Sequence, residues 1–309
     1  MEKIPVIAVL GATASGKTAL SVELAKRYKT EIISCDSMQI YRGMDIGTAK
    51  PSMAEREGIV HHMIDIIDPD ETFSVAQYCQ AAHNVASDIH NANKIPILVG
   101  GTGLYADSFL GDVDFLENDS NPQIRQELEE TAKTKGVDFL CEMLKTIDPK
   151  AYEKIHKNNI RRIIRAIEFY KMTGVPISVH QEQTKQKISR YASCIIAISY
   201  EMPVLYERIE KRVDLMMEQG LPDEVKGLLS KGYNTSMTSM QAIGYKEMAE
   251  YFEGKCSLDE AVDKIKLATR HYAKRQMTWF RPKPDIHWID SSCDILSETE
   301  KITDSFLNM

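Results

Sequence analysis

One eight-residue stretch constrains this chain more than any other. Gly11, Ala12, Thr13, Ala14, Ser15, Gly16, Lys17 and Thr18 fit the spacing G-x4-G-K-[ST]. The glycines let successive backbone N–H groups turn inward on phosphate oxygens, Lys17 adds a point charge, and the Thr18 hydroxyl reaches toward a Mg2+ ion. The context is the one such a loop requires. Before it, Pro5 to Leu10 is a short apolar, β-branched run that predicts a strand buried on both faces of a parallel sheet. After it, Leu20, Leu24 and Tyr28 recur at helical spacing, so the loop opens a helix whose positive end faces the anion. The ligand is a di- or triphosphate, and the loop does not choose between them.

A chain of 309 residues suggests two units at a prior of ~150 residues each. Its 43% hydrophobic content suffices for a packed core. No apolar run approaches the ~20 residues that cross a bilayer, and no signal segment precedes the first strand, so the expectation is a cytoplasmic protein with no membrane association. The six cysteines show no C-x2-C pair and are expected to be reduced thiols. A formal charge of −7 excludes uniform coating of nucleic acid, so any polyanionic partner must be held by a local basic face.

Along the chain, Glu31 to Cys35 predicts a second strand with Asp36 at its C-terminal end, where ligands of open α/β sheets bind. Asp36 is either a turn cap or a site carboxylate. Tyr41 to Pro51 is a loop able to wall the site, and Thr72 to His90 predicts a crossover helix. Ile95 to Val99 predicts a further strand, but the Gly100-Gly101-Thr102 that follows lacks the Mg2+-binding aspartate that phosphotransferases often carry there. From Val113 to Arg190 the sequence turns helical and charged, which predicts an insert starting a helix near Asn121-Pro122. Within it, Ile160, Ile163, Ile164 and Ile167 form one stripe and Arg161, Arg162 and Arg165 lie on other faces. These arginines form either a solvated face or contacts to nucleic-acid phosphates. A strand at Ser193 to Ser199 resumes the sheet. The helix after Pro203 carries Arg208 and Arg212 four apart, so one or both point at the phosphate site. Ser257 and Glu260 form a capping box for the last long helix. Its Lys264, Lys266, Arg270, Lys274, Arg275 and Arg281 run beside Tyr272, Trp279 and Phe280, a mixture suited to RNA backbone and stacked bases.

Taken together, these motifs resemble the tRNA dimethylallyltransferase (tRNA isopentenyltransferase) family: GATASGKT at 11–18, DSMQIYRGMDIGTAKP at 36–51, VGGTGLY at 99–105, RRIIRAIE at 161–168, AIGYKE at 242–247 and TRHYAKRQMTWFRP at 269–282. Members commonly carry Asp-x-Gln-Arg where this chain has Asn159 to Arg162. The resemblance implies transfer of a dimethylallyl group from its diphosphate to N6 of the adenosine just 3′ of the anticodon, with release of diphosphate and use of Mg2+. The expected architecture is a P-loop NTPase-like α/β core with a parallel sheet (1–112 and 191–309) and an inserted all-helical tRNA-binding domain (113–190), acting as a monomer.

Chemistry then suggests the roles. An adenine amine is a poor nucleophile, so a carboxylate that accepts its proton assists, and Asp36 is the candidate base. Lys17, the amides of residues 11–18, Thr18 with Mg2+ and Arg212 are expected to stabilise the charge developing on diphosphate. Thr102 is expected where the two substrates meet, with Ser37 and Gln39 reading the flipped base. Met38, Arg161, Arg162, Arg165, Gly244, Lys246, Arg270, Lys274 and Arg275 complete the expected tRNA contacts. The rivals are a small-molecule kinase using ATP in the same loop and a nucleotide-gated RNA-binding module without catalysis.

Overall fold

The computed structural model describes residues 3–113, 115, 121–186 and 188–308. Six strands, β1 (Ile4–Leu10), β2 (Ile32–Cys35), β3 (His61–His62), β4 (Ile97–Gly100), β5 (Tyr191–Ser199) and β6 (Ile286–Asp290), form one sheet in the order β3-β2-β4-β1-β5-β6. Every pairing is parallel. Parallel strands need crossovers and both faces covered, which explains the continuous apolar runs of β1 and β5. The short β3 carries two histidines and no apolar run, so it left no strand signal in the sequence.

The helices are α1 (Lys17–Arg27), α2 (Met53–Arg56), α3 (Val75–Asn91), α4 (Gly103–Leu110), α5 (Pro122–Lys135), α6 (Val137–Ile147), α7 (Pro149–Lys154), α8 (Ile160–Thr173), α9 (Ile177–Gln186), α10 (Met202–Glu218), α11 (Leu221–Ser230), α12 (Tyr245–Phe252), α13 (Leu258–Phe280) and α14 (Ile295–Leu307). The crossover helix starts at Val75 rather than Thr72. Ser74 caps it, accepting from the Gln77 amide while the Gln77 side chain accepts from the Ser74 amide, and this pair of bonds fixes the first turn.

Helices α1 and α14 cover one face of the sheet, where Ile7, Val9, Ile32, Ile97 and Ile196 meet Leu20, Leu24 and the partly buried Ile295 and Ile302. Alternate strand residues face the other way, toward α3 and α4, which are joined by stacking of Tyr78 on Tyr105 at 4.2 Å. A third cluster matters most for the site. Leu205 and Ile209 of α10 and Ala273 and Met277 of α13 pack on Ala12 and Ala14, so the phosphate loop rests on a buried apolar floor. Glycine is needed where β2 and β4 converge: a Cβ on Gly100 would overlap the Cys35 carbonyl.

The chain divides into two compact units, one of Met1–Leu110 with Ser189–Met309 and one of Gly111–Ile188. In the second unit Leu128, Leu140, Leu144, Ile163, Ile164 and Ile167 form the core. Asn121 caps α5 and Pro122 occupies its first position. The Glu168 carboxylate is fully buried in this unit, accepting from the Asn121 amide (2.9 Å) and from Arg125 (2.8 Å), with Arg165 at 3.5 Å. Removing the buried carboxylate leaves the Asn121 amide without its acceptor while Arg125 and Arg165 still reach solvent, so Glu168→Ala is expected to destabilise this unit by ~1–3 kcal/mol. Urea unfolding followed by hydrogen exchange in α5 and α8 checks this; a loss below ~0.5 kcal/mol would reduce the cluster to an ordinary surface pair.

Candidate active site

The phosphate loop follows β1 at the carboxyl edge of the sheet. There a cavity of about 420 Å³ opens, within the size range of small-ligand sites. Its walls include Thr13, Lys17, Thr18 and Ser21 on one side, Asp36 to Gln39 after β2, Gly47 to Ala49 of the loop that follows, Gly100 and Gly101 at the end of β4, Ala242 to Gly244, and Arg212, Tyr272, Arg275 and Gln276 from α10 and α13. Ile32, Ile64 and Val99 give it an apolar end. Among the described residues no group of three or more His, Cys, Asp or Glu side chains could hold a metal.

Gly16 adopts a left-handed conformation (φ 89°), and α1 begins at Lys17, which puts Lys17 and Thr18 in the first turn of a helix at its positive end. The Lys17 ammonium donates to the Ala12 carbonyl. Burial, reinforced by the Arg212 charge and only partly offset by Asp36, pushes its pKa down to about 7. Arg212 is likewise lowered by burial, with Arg208 adding repulsion. The α10 stripe of Leu205, Ile209 and Val213 faces inward, which aims its neighbours at the loop: Arg208 Nε donates to the Ala14 carbonyl (2.8 Å) and Arg212 to Thr13 Oγ1 (3.4 Å). Lys17, Arg208 and Arg212 thus gather at the loop, with Asp36 acting on Lys17 and Arg212 and Glu55 acting on Arg212 as the opposing carboxylates. That imbalance suits a polyanion.

Asp36 both caps a turn and lines the cavity. Its Oδ1 accepts from the Met38 amide (2.9 Å), and burial raises its pKa against the lowering effect of that bond and of Lys17. Thr102 Oγ1 accepts from the Ser37 amide (3.1 Å) and donates to Ser37 Oγ (3.4 Å), close to Tyr272, whose hydroxyl is held protonated by its own burial. Asp36, Ser37, Thr102 and Tyr272 are thus neighbours. Oxygen donors suit Mg2+, which binds through few protein groups plus substrate phosphates. The Thr18 hydroxyl and the Asp36 carboxylate are donors of that kind, and both line the cavity.

Other expected site residues differ from their sequence-based description. The Gln39 amide is occupied within the protein, accepting from Ser34 (3.1 Å) and donating to the carbonyls of Thr48 and Ala49 (3.3 and 3.2 Å). Phe280 is 0% exposed and cannot stack on a base; it belongs to the same inner stripe as Ala273 and Met277. Half of the basic face expected of α13 is neutralised, because Lys264 pairs with Glu250, Lys266 with Asp214 and Arg270 with Glu210. Lys274 and Arg275 remain exposed, with Arg275 stacked over Tyr272. Met38 and Gly244 line the cavity, and Lys246 is exposed beyond it. In the helical unit Arg161 and Arg162 are exposed, whereas Arg165 is engaged with Glu168.

Three site residues escaped sequence reasoning. Glu224 of α11 accepts from the amides of Asp45, Ile46 and Gly47 (3.0, 2.8 and 3.2 Å) and from the Tyr245 hydroxyl (2.5 Å), which fixes the loop that walls the cavity. Lys50, 3% exposed, holds the same loop through Asp45, Asp65 and the Tyr41 carbonyl. Gln276 bonds to the Thr13 amide and the Gly101 carbonyl. A pKa near 7 at Lys17 has a measurable consequence. Affinity for inorganic diphosphate should fall more steeply from pH 6 to 8 in the parent protein than in Lys17→Arg, whose guanidinium stays charged. Calorimetric titrations at several pH values check it, and equal slopes would remove Lys17 as the titrating group.

The IPP transferase family model matches residues 39–283. The tRNA dimethylallyltransferase of Acetivibrio thermocellus is 50% identical over 297 residues, spanning 96% of this chain and 94% of that one. That of Bacillus subtilis is 46% identical over 299 residues, 97% and 95%. Among solved structures, the tRNA isopentenylpyrophosphate transferase of Bacillus halodurans aligns with a TM-score of 0.72 at 44% identity, covering 99% of this chain and 95% of that one. A eukaryotic dimethylallyltransferase described as acting on tRNA aligns at 0.86 and 30% identity, covering 99% and 80%. With the matching model spanning well over half of the chain and relatives near 50% identity along almost all of it, this protein belongs to the IPP transferase family.

Proposed function

We propose that the protein transfers a dimethylallyl group from dimethylallyl diphosphate to N6 of the adenosine 3′-adjacent to the anticodon of tRNA, releasing diphosphate. The observation that carries this is the grouping of Lys17, Arg212 and Asp36 around one cavity that ends in apolar side chains. The family names of the relatives agree with it.

In this reading the N6 lone pair attacks C1 of the allyl group, the C1–O bond breaks with its electron pair leaving on diphosphate, and the N6 proton passes to the Asp36 carboxylate. Burial raises the Asp36 pKa toward the working pH, which strengthens it as a base. Lys17 and Arg212, with the loop amides, face the oxygens on which charge develops. Mg2+ held by Thr18 and the diphosphate oxygens would neutralise further charge on the leaving group. The five-carbon tail lies against Ile32, Ile64 and Val99. Ser37, Thr102 and Tyr272 border the place where a flipped adenine meets the allyl carbon, and unstacking a base from a single-stranded loop costs only a few kcal/mol. Exposed Arg161 and Arg162, with Lys154 and Lys157 nearby, supply phosphate contacts to the anticodon stem-loop. The enzyme acts as a monomer in the cytoplasm, where tRNA is found; light scattering at twice the mass of one chain would contradict the first of these.

Labelled dimethylallyl diphosphate or ATP, incubated with the protein and unmodified tRNA, tests the reaction. Label is expected on adenosine N6 from the first and none from the second; phosphate transfer from ATP would instead support a kinase. Asp36→Asn should leave tRNA binding within about threefold while turnover falls at least ~100-fold, as removal of a general base requires. Near-normal turnover would take Asp36 out of that role. Arg161→Ala should weaken tRNA binding and reduce the slope of log affinity against log salt by about 1. An unchanged slope would return Arg161 to a solvated surface.

A further inference from the structure

Gln276 lies on the inner face of α13, 5% exposed, between Ala273 and Met277, which pack on the floor of the phosphate loop. Its Oε1 accepts from the Thr13 amide at 2.8 Å and its Nε2 donates to the Gly101 carbonyl at 2.9 Å. The amide orientation follows from its partners, since a backbone N–H only donates and a carbonyl only accepts. A phosphate-loop amide that would otherwise be free to face an anion is thus directed at a side chain. Glycine at 101 leaves room for this amide: a Cβ there would overlap Gln276 Nε2 and displace it.

The two ends of this bridge lead to different substrates. Thr13 accepts from Arg212 and belongs to the loop that holds the diphosphate. Gly101 precedes Thr102, which receives the Ser37 amide next to Asp36. We infer that Gln276 is a positioning residue that fixes the distance between the phosphate loop and the Asp36–Thr102 side of the cavity, and so between the allyl carbon and the amine. This rests on the prenyl-transfer reading above. A carboxamide supplies one acceptor and one donor at this spacing without charge at any pH, whereas a carboxyl does so only while protonated. A carboxylate would set a lone pair against the Gly101 carbonyl and negative charge beside the diphosphate. Attack requires reacting atoms about 3–3.5 Å apart, and a misplacement of ~1 Å can cost ~10²-fold in rate.

The test uses Gln276→Leu and Gln276→Glu in the full chain. In the unliganded protein the Thr13 amide proton should exchange at least ~10-fold faster in Gln276→Leu than in the parent, and equal exchange would overturn the bridge whatever the reaction proves to be. With dimethylallyl diphosphate and an anticodon stem-loop, Gln276→Leu should lose ~10²-fold in kcat. Its donor KM should stay within about fivefold and its tRNA affinity within about threefold. A kcat within threefold of the parent, or a loss confined to donor KM, would overturn the inference. Should Gln276→Leu fail to fold, Gln276→Glu decides: a protonated carboxyl restores the donor, so its kcat relative to the parent should rise at least ~10-fold from pH 8 to pH 6. A ratio independent of pH would overturn it. If the parent transfers no prenyl group, the proposed function fails, while the Thr13 exchange measurement still judges the bridge.

Discussion

Two cations, Lys17 and Arg212, drawn partly out of water around a shared cavity that Asp36 also lines are the constraint from which the rest of this structure follows. Lys17 and Arg212 each lose charge stability to burial, Arg212 repels Lys17 and is itself repelled by Arg208, and Asp36, with Glu55 acting on Arg212, offsets only part of this. Such an arrangement is costly when empty and favourable when an anion with several negative oxygens arrives. The fold supplies what the arrangement needs. A parallel sheet delivers the loop, the carboxylate and the Gly100-Gly101 turn to one edge, and the helices α10 and α13 bring the arginine and the bridging amide from the far end of the chain.

The same constraint accounts for how the phosphate loop is used. In a nucleotide hydrolase or kinase the strand beside the loop often ends in an acid that holds Mg2+. Here β4 ends in Gly100-Gly101, and Gln276 occupies the space next to it. A neutral amide at that place adds no negative charge beside Lys17 and Arg212, and the acidic group lining the cavity is Asp36, at the end of β2. Glu224 and Lys50 lie farther out and hold the wall loop, so the cavity has a fixed lining on that side.

Much of this was legible in the sequence, and for reasons that also explain what was not. The loop, its strand and its helix are contiguous, so spacing alone revealed them. Asp36 followed from the rule that ligands sit beyond strand ends, and Arg212 from its position beside an apolar stripe. Gln276 did not, because its partners lie 263 and 175 residues away and no local pattern encodes such a contact. Charge counting overstated the basic face of α13, since it could not see Glu210, Asp214 and Glu250 arriving from other helices to pair with it. Phe280 was recoverable: its spacing from Ala273 and Met277 already placed it on the inner stripe. Arg165 was less so, because the buried Glu168 that engages it reads in sequence as one more surface acid.

The central claim is that the cations lining the cavity hold a leaving diphosphate within reach of a base. A crystal structure with diphosphate and an adenosine-containing anticodon stem-loop tests it most directly. The account predicts diphosphate oxygens on Lys17 and Arg212, with the adenine N6 within hydrogen-bond reach of the Asp36 carboxylate. Diphosphate bound elsewhere, or an adenine amine on the opposite side of the sheet from Asp36, would contradict it.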